Sequence, residues 1–321
     1  MPKIQPSSKH IVCLGGGNAM PRAVLTGLKK YPVSLSVICA MLDTGGSTGR
    51  LKHDYNITSP GDIKWALLAL SNTSPAMKDL FSFRFENGQF KGHNFANLLI
   101  MALELTTNNY SKAIKEMKKL LNVSHQVFPA TLDKSNIFAI LENGKVISGE
   151  TNIDRPKHNG RLKIKKVFLR PKAKAYKPAL KAIKEADLIV IGPGDLYSSL
   201  AQILLVDGMS EAMKKSQAKK VYIANLMTKY GETNNFSVKD FALEVEKYLG
   251  SPLDYVIYNN FVPLAKERRV YLKSHPELLG LVKVDKNLPA DKFIGSGLLR
   301  KGFIEHDPIK LSKAIIKLLK N

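Results

Sequence analysis

Ile11-Val12-Cys13-Leu14-Gly15-Gly16-Gly17-Asn18-Ala19 is the stretch whose reading decides the fold. Ile11 to Leu14 is apolar at every position, the pattern of a strand buried on both faces. Three glycines follow, and Pro21 to Lys30 predicts a helix. A strand that turns through glycine into a helix gathers backbone N–H groups and the positive end of the helix dipole at one point. Glycine leaves no Cβ to hold a phosphate away. Gly15, Gly16, Gly17 and Asn18 are therefore candidate phosphate ligands. Gly15 and Gly17 fill two places of a G-x-G-x-x-G fingerprint, while Met20 occupies the third. A tight βα turn without ligand is the alternative reading.

Working outward, the second strand is read as Ser34 to Leu42, ending at Asp43. The loop Asp43-Thr44-Gly45-Gly46-Ser47-Thr48-Gly49-Arg50 follows, with Asp43 placed for a ribose contact and Gly45, Gly46, Ser47 and Arg50 suited to phosphate or sugar oxygens. Ser59-Pro60-Gly61-Asp62 opens a helix, so Asp62 is either a cap or a ligand or metal contact. Gly92-His93-Asn94-Phe95-Ala96-Asn97 opens another, and His93, Asn94 and Asn97 form a polar cluster able to read a base or sugar. From Ser124 to about Pro171 the pattern turns to period two, with a hairpin at Glu142-Asn143-Gly144-Lys145. Residues 124–171 are read as a small β-rich lobe inserted in one α/β domain of residues 1–321.

The α/β pattern resumes at Tyr176. Ala186 to Ile191 is a buried strand, and Gly192-Pro193-Gly194-Asp195-Leu196-Tyr197-Ser198-Ser199 repeats the strand–glycine–helix order. Gly192, Gly194, Tyr197 and Ser198 thus make a second candidate anion site. Later strands end at Asn225 and at Asn259-Asn260, adding Asn225, Thr228 and Asn260. Polar clusters after successive strands fit an open α/β sheet, whose ligands sit at the carboxyl ends of its strands. Asp307 and Pro308 predict the start of a closing helix.

Composition narrows the classes. The chain has 321 residues, 44% hydrophobic, and a net charge of +22. Met1 to Lys9 is polar, with no leader pattern, and no apolar run is long enough to span a membrane, so a cytoplasmic protein without membrane insertion is expected. Cys13 and Cys39 sit in apolar runs as small hydrophobes, with no disulfide framework or zinc spacing. The basic residues are densest from Arg155 to Lys177, where Arg161, Lys163 and Lys165 alternate with Leu162 and Ile164. That pattern is read as a charged strand face protecting a sheet edge. No motif for specific nucleic-acid recognition accompanies the charge.

Taken together, Leu14 to Asn18, Asp43 to Leu51, Pro60 to Ile63, Gly92 to Phe95, Pro129 to Leu132, Gly192 to Ser198, Asn225 to Thr228, Gly231 to Thr233 and Tyr258 to Asn260 resemble the YvcK-like branch of the CofD superfamily, the gluconeogenesis factors. The resemblance implies a Rossmann-like, mostly parallel sheet with helices on both faces and a homo-oligomer. It implies a nucleotide-containing ligand, notably a UDP-sugar, and a role in carbon metabolism, cell shape and envelope synthesis. It also implies phosphate contacts at Gly15 to Asn18 and Gly192 to Ser198, with Asp43 and Asp62 as metal or ribose candidates. Two positions depart from the family pattern: Thr44 stands where a second acidic residue is usual, and Glu305 where Arg is usual.

The reading taken forward is a nucleotide-sugar-binding regulator that needs no cofactor and performs no turnover. The alternatives are a magnesium-dependent phospholactyl or phosphoryl transferase and an NAD-binding oxidoreductase.

Overall fold

The computed structural model describes residues 8–320; Met1 to Ser7, part of the polar start, lie outside the described residues. Among the described residues the strands in chain order are β1 (His10–Gly15), β2 (Ser34–Cys39), β3 (Gln126–Pro129), β4 (Asn136–Leu141), β5 (Val146–Ser148), β6 (Ile164–Arg170), β7 (Leu188–Ile191), β8 (Lys219–Ile223), β9 (Met227–Lys229), β10 (Tyr255–Asn259), β11 (Leu278–Leu281) and β12 (Phe293–Ser296). Seven form one sheet in the order β12-β10-β8-β7-β1-β2-β3, and every pairing in it is parallel. The chain winds from β1 out to β3, then returns beside β1 as β7 and winds the other way. This is the doubly wound order, and its switch point lies between β1 and β7.

Alternate residues of each central strand serve opposite faces. Val12 and Leu14 join a core with Ile189, Ile191 and Tyr222, whereas Ile11 and Cys13 join a second core with Val190, Val221 and Ile257. Helices cover both faces, which is why Ile11 to Leu14 is apolar without alternation. Each fully buried Val, Leu or Ile there contributes on the order of 1.5–3 kcal/mol. Both cysteines are free and buried, and burial pushes the Cys13 thiol up to about 12, so they act as packing residues.

The two turns at the switch point share a rare geometry. Pro21–Leu25 after β1 and Leu196–Ala201 after β7 are wound with the wider π spacing before α-helix resumes at Thr26–Leu28 and Gln202–Leu204. Such π turns are frequent at functional sites. At the other end of the chain, Asp307 Oδ1 accepts from the N–H groups of Ile309 (2.8 Å) and Lys310 (3.1 Å), the expected cap of helix Pro308–Lys320.

The period-two region divides differently from the sequence reading. β3 pairs in parallel with β2 and is the last strand of the main sheet. It alternates exposed and buried residues because it is an edge strand, and Pro129 is tolerated there for the same reason. β4, β5 and β6 form a separate antiparallel sheet in the order β5-β4-β6, with the expected hairpin between β4 and β5. A short helix, Glu150–Asp154, leaves it toward the Asp43 loop. β2 also stops at Cys39, three residues short of the strand read from sequence, while Ala40 to Leu42 remain buried. No helix among the described residues is long and apolar enough to cross a membrane.

Candidate functional site

A cleft of about 470 Å³ lies over the carboxyl ends of β1, β7 and β8, at the switch point. Its floor is Gly16, Gly17 and Asn18 from the first turn and Pro193, Gly194 and Asp195 from the second. Asn225 and Lys229 close one side, and Tyr271, His275, Glu277, Glu305 and His306 form the outer wall. Arg22 stands at the mouth and forms no ion pair among the described residues. Of the residues nominated from sequence, Gly16, Gly17, Asn18, Gly194 and Asn225 line this cleft. Asn225 is fixed by accepting from Tyr222 Oη at 3.2 Å and donating to the Gly194 carbonyl at 3.0 Å.

The first turn is tight. Gly17 has φ +62°, open to glycine at no steric cost. A Cβ on Gly16 would stand 2.1 Å from Asp62 Oδ2 and 2.5 Å from Ser199 Oγ; one on Gly15 would meet the Met20 Cβ at 2.8 Å. Asp62 sits in the first turn of helix Gly61–Leu70 but does not cap it. Its Oδ1 accepts from the Gly17 N–H at 2.7 Å, across 45 residues of sequence. Ser199 Oγ is buried with no hydrogen-bond partner, and so is His306 Nε2. Both residues line the cleft, and buried polar atoms seldom go unpaired. Burial pushes His306 down to about 4, so its imidazole is neutral near pH 7.

The second turn differs from its sequence reading. The N–H groups of Tyr197 (3.0 Å) and Ser198 (3.2 Å) both donate to Glu232 Oε2, and Ser198 Oγ donates to Oε1 at 2.9 Å. The donors nominated for a phosphate hold this chain's own carboxylate. Tyr197 and Ser198 face inward, with Tyr197 against Tyr248, and Gly192 (φ +76°) only shapes the turn. Lys229 Nζ then sits among Asp154, Asp195 (2.8 Å) and Glu232 (3.4 Å). These three carboxylates are spaced as metal ligands would be, within 4.8 Å of one another. The ammonium takes the cation's place. Burial acts to lower Lys229, but Glu232, Asp195 and Asp154 outweigh it and hold the amine protonated. Glu232 is pushed up to about 7 by burial, against the pull of Lys229.

The remaining nominated residues lie outside the lining of this cleft. Ser47 Oγ pairs with His93 Nδ1 at 3.1 Å, Asn94 caps helix Phe95–Thr107 by accepting from the Asn97 N–H, and Asn97 Nδ2 donates to Thr48 Oγ1. Gly45 and Gly46 begin helix Gly46–Tyr55, and Arg50 reaches the Lys91 carbonyl at 2.9 Å. Burial lowers His93, and the Arg50 charge adds to the effect. Thr228 donates to the Gly280 carbonyl, tying β9 to β11, and Asn260 is exposed at the end of β10; neither reaches the cleft. A carboxylate from another segment lies beside Thr44. Glu150 Oε2 accepts from the Thr44 N–H at 3.3 Å, and burial with the nearby Asp43 and Asp154 charges pushes Glu150 up to about 7.

Asp43 and Asp62 are the residues nominated from sequence for a divalent cation. Burial raises both, and Asp43 raises Asp62 further. Asp43 Oδ2 accepts from Ser59 Oγ at 3.2 Å, while Asp62 Oδ2 points at Gly16. Neither lines the cleft itself; two crowded carboxylates are a donor set that suits magnesium, which binds through one or two carboxylates and keeps its waters. Sequence reasoning missed Arg22, Asp195, Ser199, Lys229, Glu232 and His306. Glu232 stood in the quoted Gly231-Glu232-Thr233, but nothing local showed that it fills the second turn.

Fold and cleft define a doubly wound α/β protein with a glycine turn facing a cleft at its switch point. The chain belongs to the CofD family, whose profile, described as 2-phospho-L-lactate transferase CofD, matches residues 11–293. It is 37% identical to the gluconeogenesis factor of Halalkalibacterium halodurans, over 96% of this chain and 96% of that one. To the gluconeogenesis factor of Bacillus subtilis it is 36% identical, over 97% and 98%. A crystal structure of a UPF0052-family protein from Bacillus halodurans superposes with a TM-score of 0.90 at 35% identity, covering 97% of this chain and all of that one. A family described by a transferase lends nothing to the expectation of binding without turnover.

Proposed function

We propose that the cleft binds a nucleotide sugar of the UDP-sugar type and that the chain acts, as its relatives' names suggest, as a gluconeogenesis factor. The observation that carries this is the open first turn. The Gly16 to Asn18 backbone faces the cleft, with the unpaired cation Arg22 beside it, and this pairing suits a diphosphate. At the far wall Glu277 and Glu305 are acceptors, which suit sugar or ribose hydroxyls and repel phosphate. The ligand therefore lies with its diphosphate on the first turn and its hydroxyl-bearing end toward Tyr271 and His306.

A second reading, transfer of a phosphoryl-type group, is favoured by Asp43 and Asp62. These carboxylates would hold magnesium, which supplies charge to offset that of a transferring phosphoryl group. In that reading Asp62 also orients the Gly17 N–H.

Calorimetry with a UDP-sugar in chelator and in magnesium, with mass spectrometry of the nucleotide afterwards, separates the two. Equal affinity and an unchanged nucleotide support the binding protein. Magnesium-dependent release of a nucleoside monophosphate at turnover supports the transferase, and no binding in either buffer contradicts both.

A further inference from the structure

The outward face of the β5-β4-β6 sheet has no part in the cleft. Along β4 it carries Asn136, Phe138 and Ile140, and in register across from them on β6 are Arg170, Phe168 and Lys166. The opposite face carries Ile137, Ala139 and Val167, all buried. Phe138 and Phe168 are stacked, their centroids 5.4 Å apart and their planes 17° apart. Both rings are half-buried, and neither belongs to the two cores.

The charge along the segment that carries β6 is one-sided. From Arg155 to Lys177 the chain has ten Lys and Arg and no Asp or Glu. Among the described residues, only Arg155 of those ten forms an ion pair, with Asp154. Edge protection, the reading taken from sequence, does not account for this. The open side of β6 is already covered: Val167 N–H donates to Tyr248 Oη at 3.1 Å, and Lys247 Nζ donates to the Lys165 carbonyl at 3.3 Å.

We propose that this face binds single-stranded nucleic acid without regard to sequence. Unpaired bases stack on Phe138 and Phe168, and the phosphates run past Lys166 and Arg170. Aromatic rings on an antiparallel sheet, flanked by cations, are the platform on which unpaired bases stack in single-strand-binding proteins. A chain of net charge +22 draws a polyanion from a distance. The same charge disfavours a second copy as the occupant, and two half-buried rings packed on each other offer little to insert into a lipid surface.

The test is fluorescence anisotropy of the full chain with labelled oligouridylate and oligothymidylate 15-mers, in the presence of excess UDP-sugar so that the cleft plays no part. Binding of either is expected at about 50 mM salt, weakening roughly tenfold or more by about 200 mM; the tighter of the two identifies RNA or DNA as the occupant. Phe138→Leu and Phe168→Leu, which keep an apolar side chain, should each weaken binding roughly tenfold, as loss of one stacked base does. Lys166→Glu with Arg170→Glu should abolish it, with circular dichroism melts confirming folded proteins. Three results would overturn the proposal: no binding at low salt, unchanged affinity in both Leu variants, or tighter binding to phosphatidylserine vesicles than to either oligonucleotide.

Discussion

The turn after β1 and the turn after β7 both leave a buried strand through glycine and enter a π-wound helix, on adjacent strands of one sheet. In the first, one carboxylate oxygen of Asp62 holds the Gly17 N–H and the other faces Gly16, leaving the turn open to the cleft. In the second, Glu232 takes two N–H groups and a hydroxyl, and Lys229 neutralises it from behind. The same physics of helix N-termini thus serves a ligand at one turn and the fold at the other. What separates them is how many donors a distant carboxylate fills: one N–H at the first turn, two N–H groups and a hydroxyl at the second.

The largest expected effect breaks the closed turn. Glu232→Ala leaves the Tyr197 and Ser198 N–H groups unpaired and Lys229 short of one carboxylate. Removing one partner of a buried ion pair costs about 3–5 kcal/mol, to be read from urea unfolding. A loss below about 1 kcal/mol would show that the second turn is not held by Glu232.

Next comes Gly16→Val at the open turn. Its Cβ would meet Asp62 Oδ2 at 2.1 Å and Ser199 Oγ at 2.5 Å, so overpacking lowers stability by about 1–3 kcal/mol and ligand binding is lost. Full UDP-sugar affinity in calorimetry would move the ligand away from this turn.

A smaller change sharpens the role of Asp62. Asn keeps an acceptor for the Gly17 N–H but cannot offer a carboxylate to a cation. Asp62→Asn should therefore leave UDP-sugar affinity in chelator unchanged and remove any gain on adding magnesium. A loss of affinity in chelator would make the carboxylate itself a ligand contact.

The smallest effect is a pH slope. Glu150 is pushed from 4.5 up to about 7, so the folded chain keeps a proton that the unfolded chain releases. Its contribution to stability is complete below about 4.5 and is lost as pH rises through about 7. Glu150→Gln should flatten thermal stability between pH 5 and 8 without abolishing the slope, because Glu232 titrates with the same sign. An unchanged slope would remove Glu150 from the account.

Much of this fold was legible in the chain. Continuous apolar runs such as Ile11 to Leu14 and Leu188 to Ile191 mark strands sealed on both faces, and glycine after each marks the carboxyl end of a strand, where ligands of such sheets gather. β3 was misplaced because an edge strand alternates like an antiparallel one, and periodicity cannot tell them apart. The site was half legible. Gly16 to Asn18 are recognisable because their role is a backbone role, written in local sequence. Glu232 and Lys229 are not, because they act 34 residues from Ser198 and Asp195, and only the fold brings them there.

Hydrogen–deuterium exchange with saturating UDP-sugar tests the contrast between the turns most directly. The account predicts new protection over residues 15–22 and 225–229, and none at Tyr197 and Ser198, whose N–H groups are bonded to Glu232 with or without ligand. Protection confined to residues 43–50 and 93–97, with the first turn exchanging as before, would contradict it.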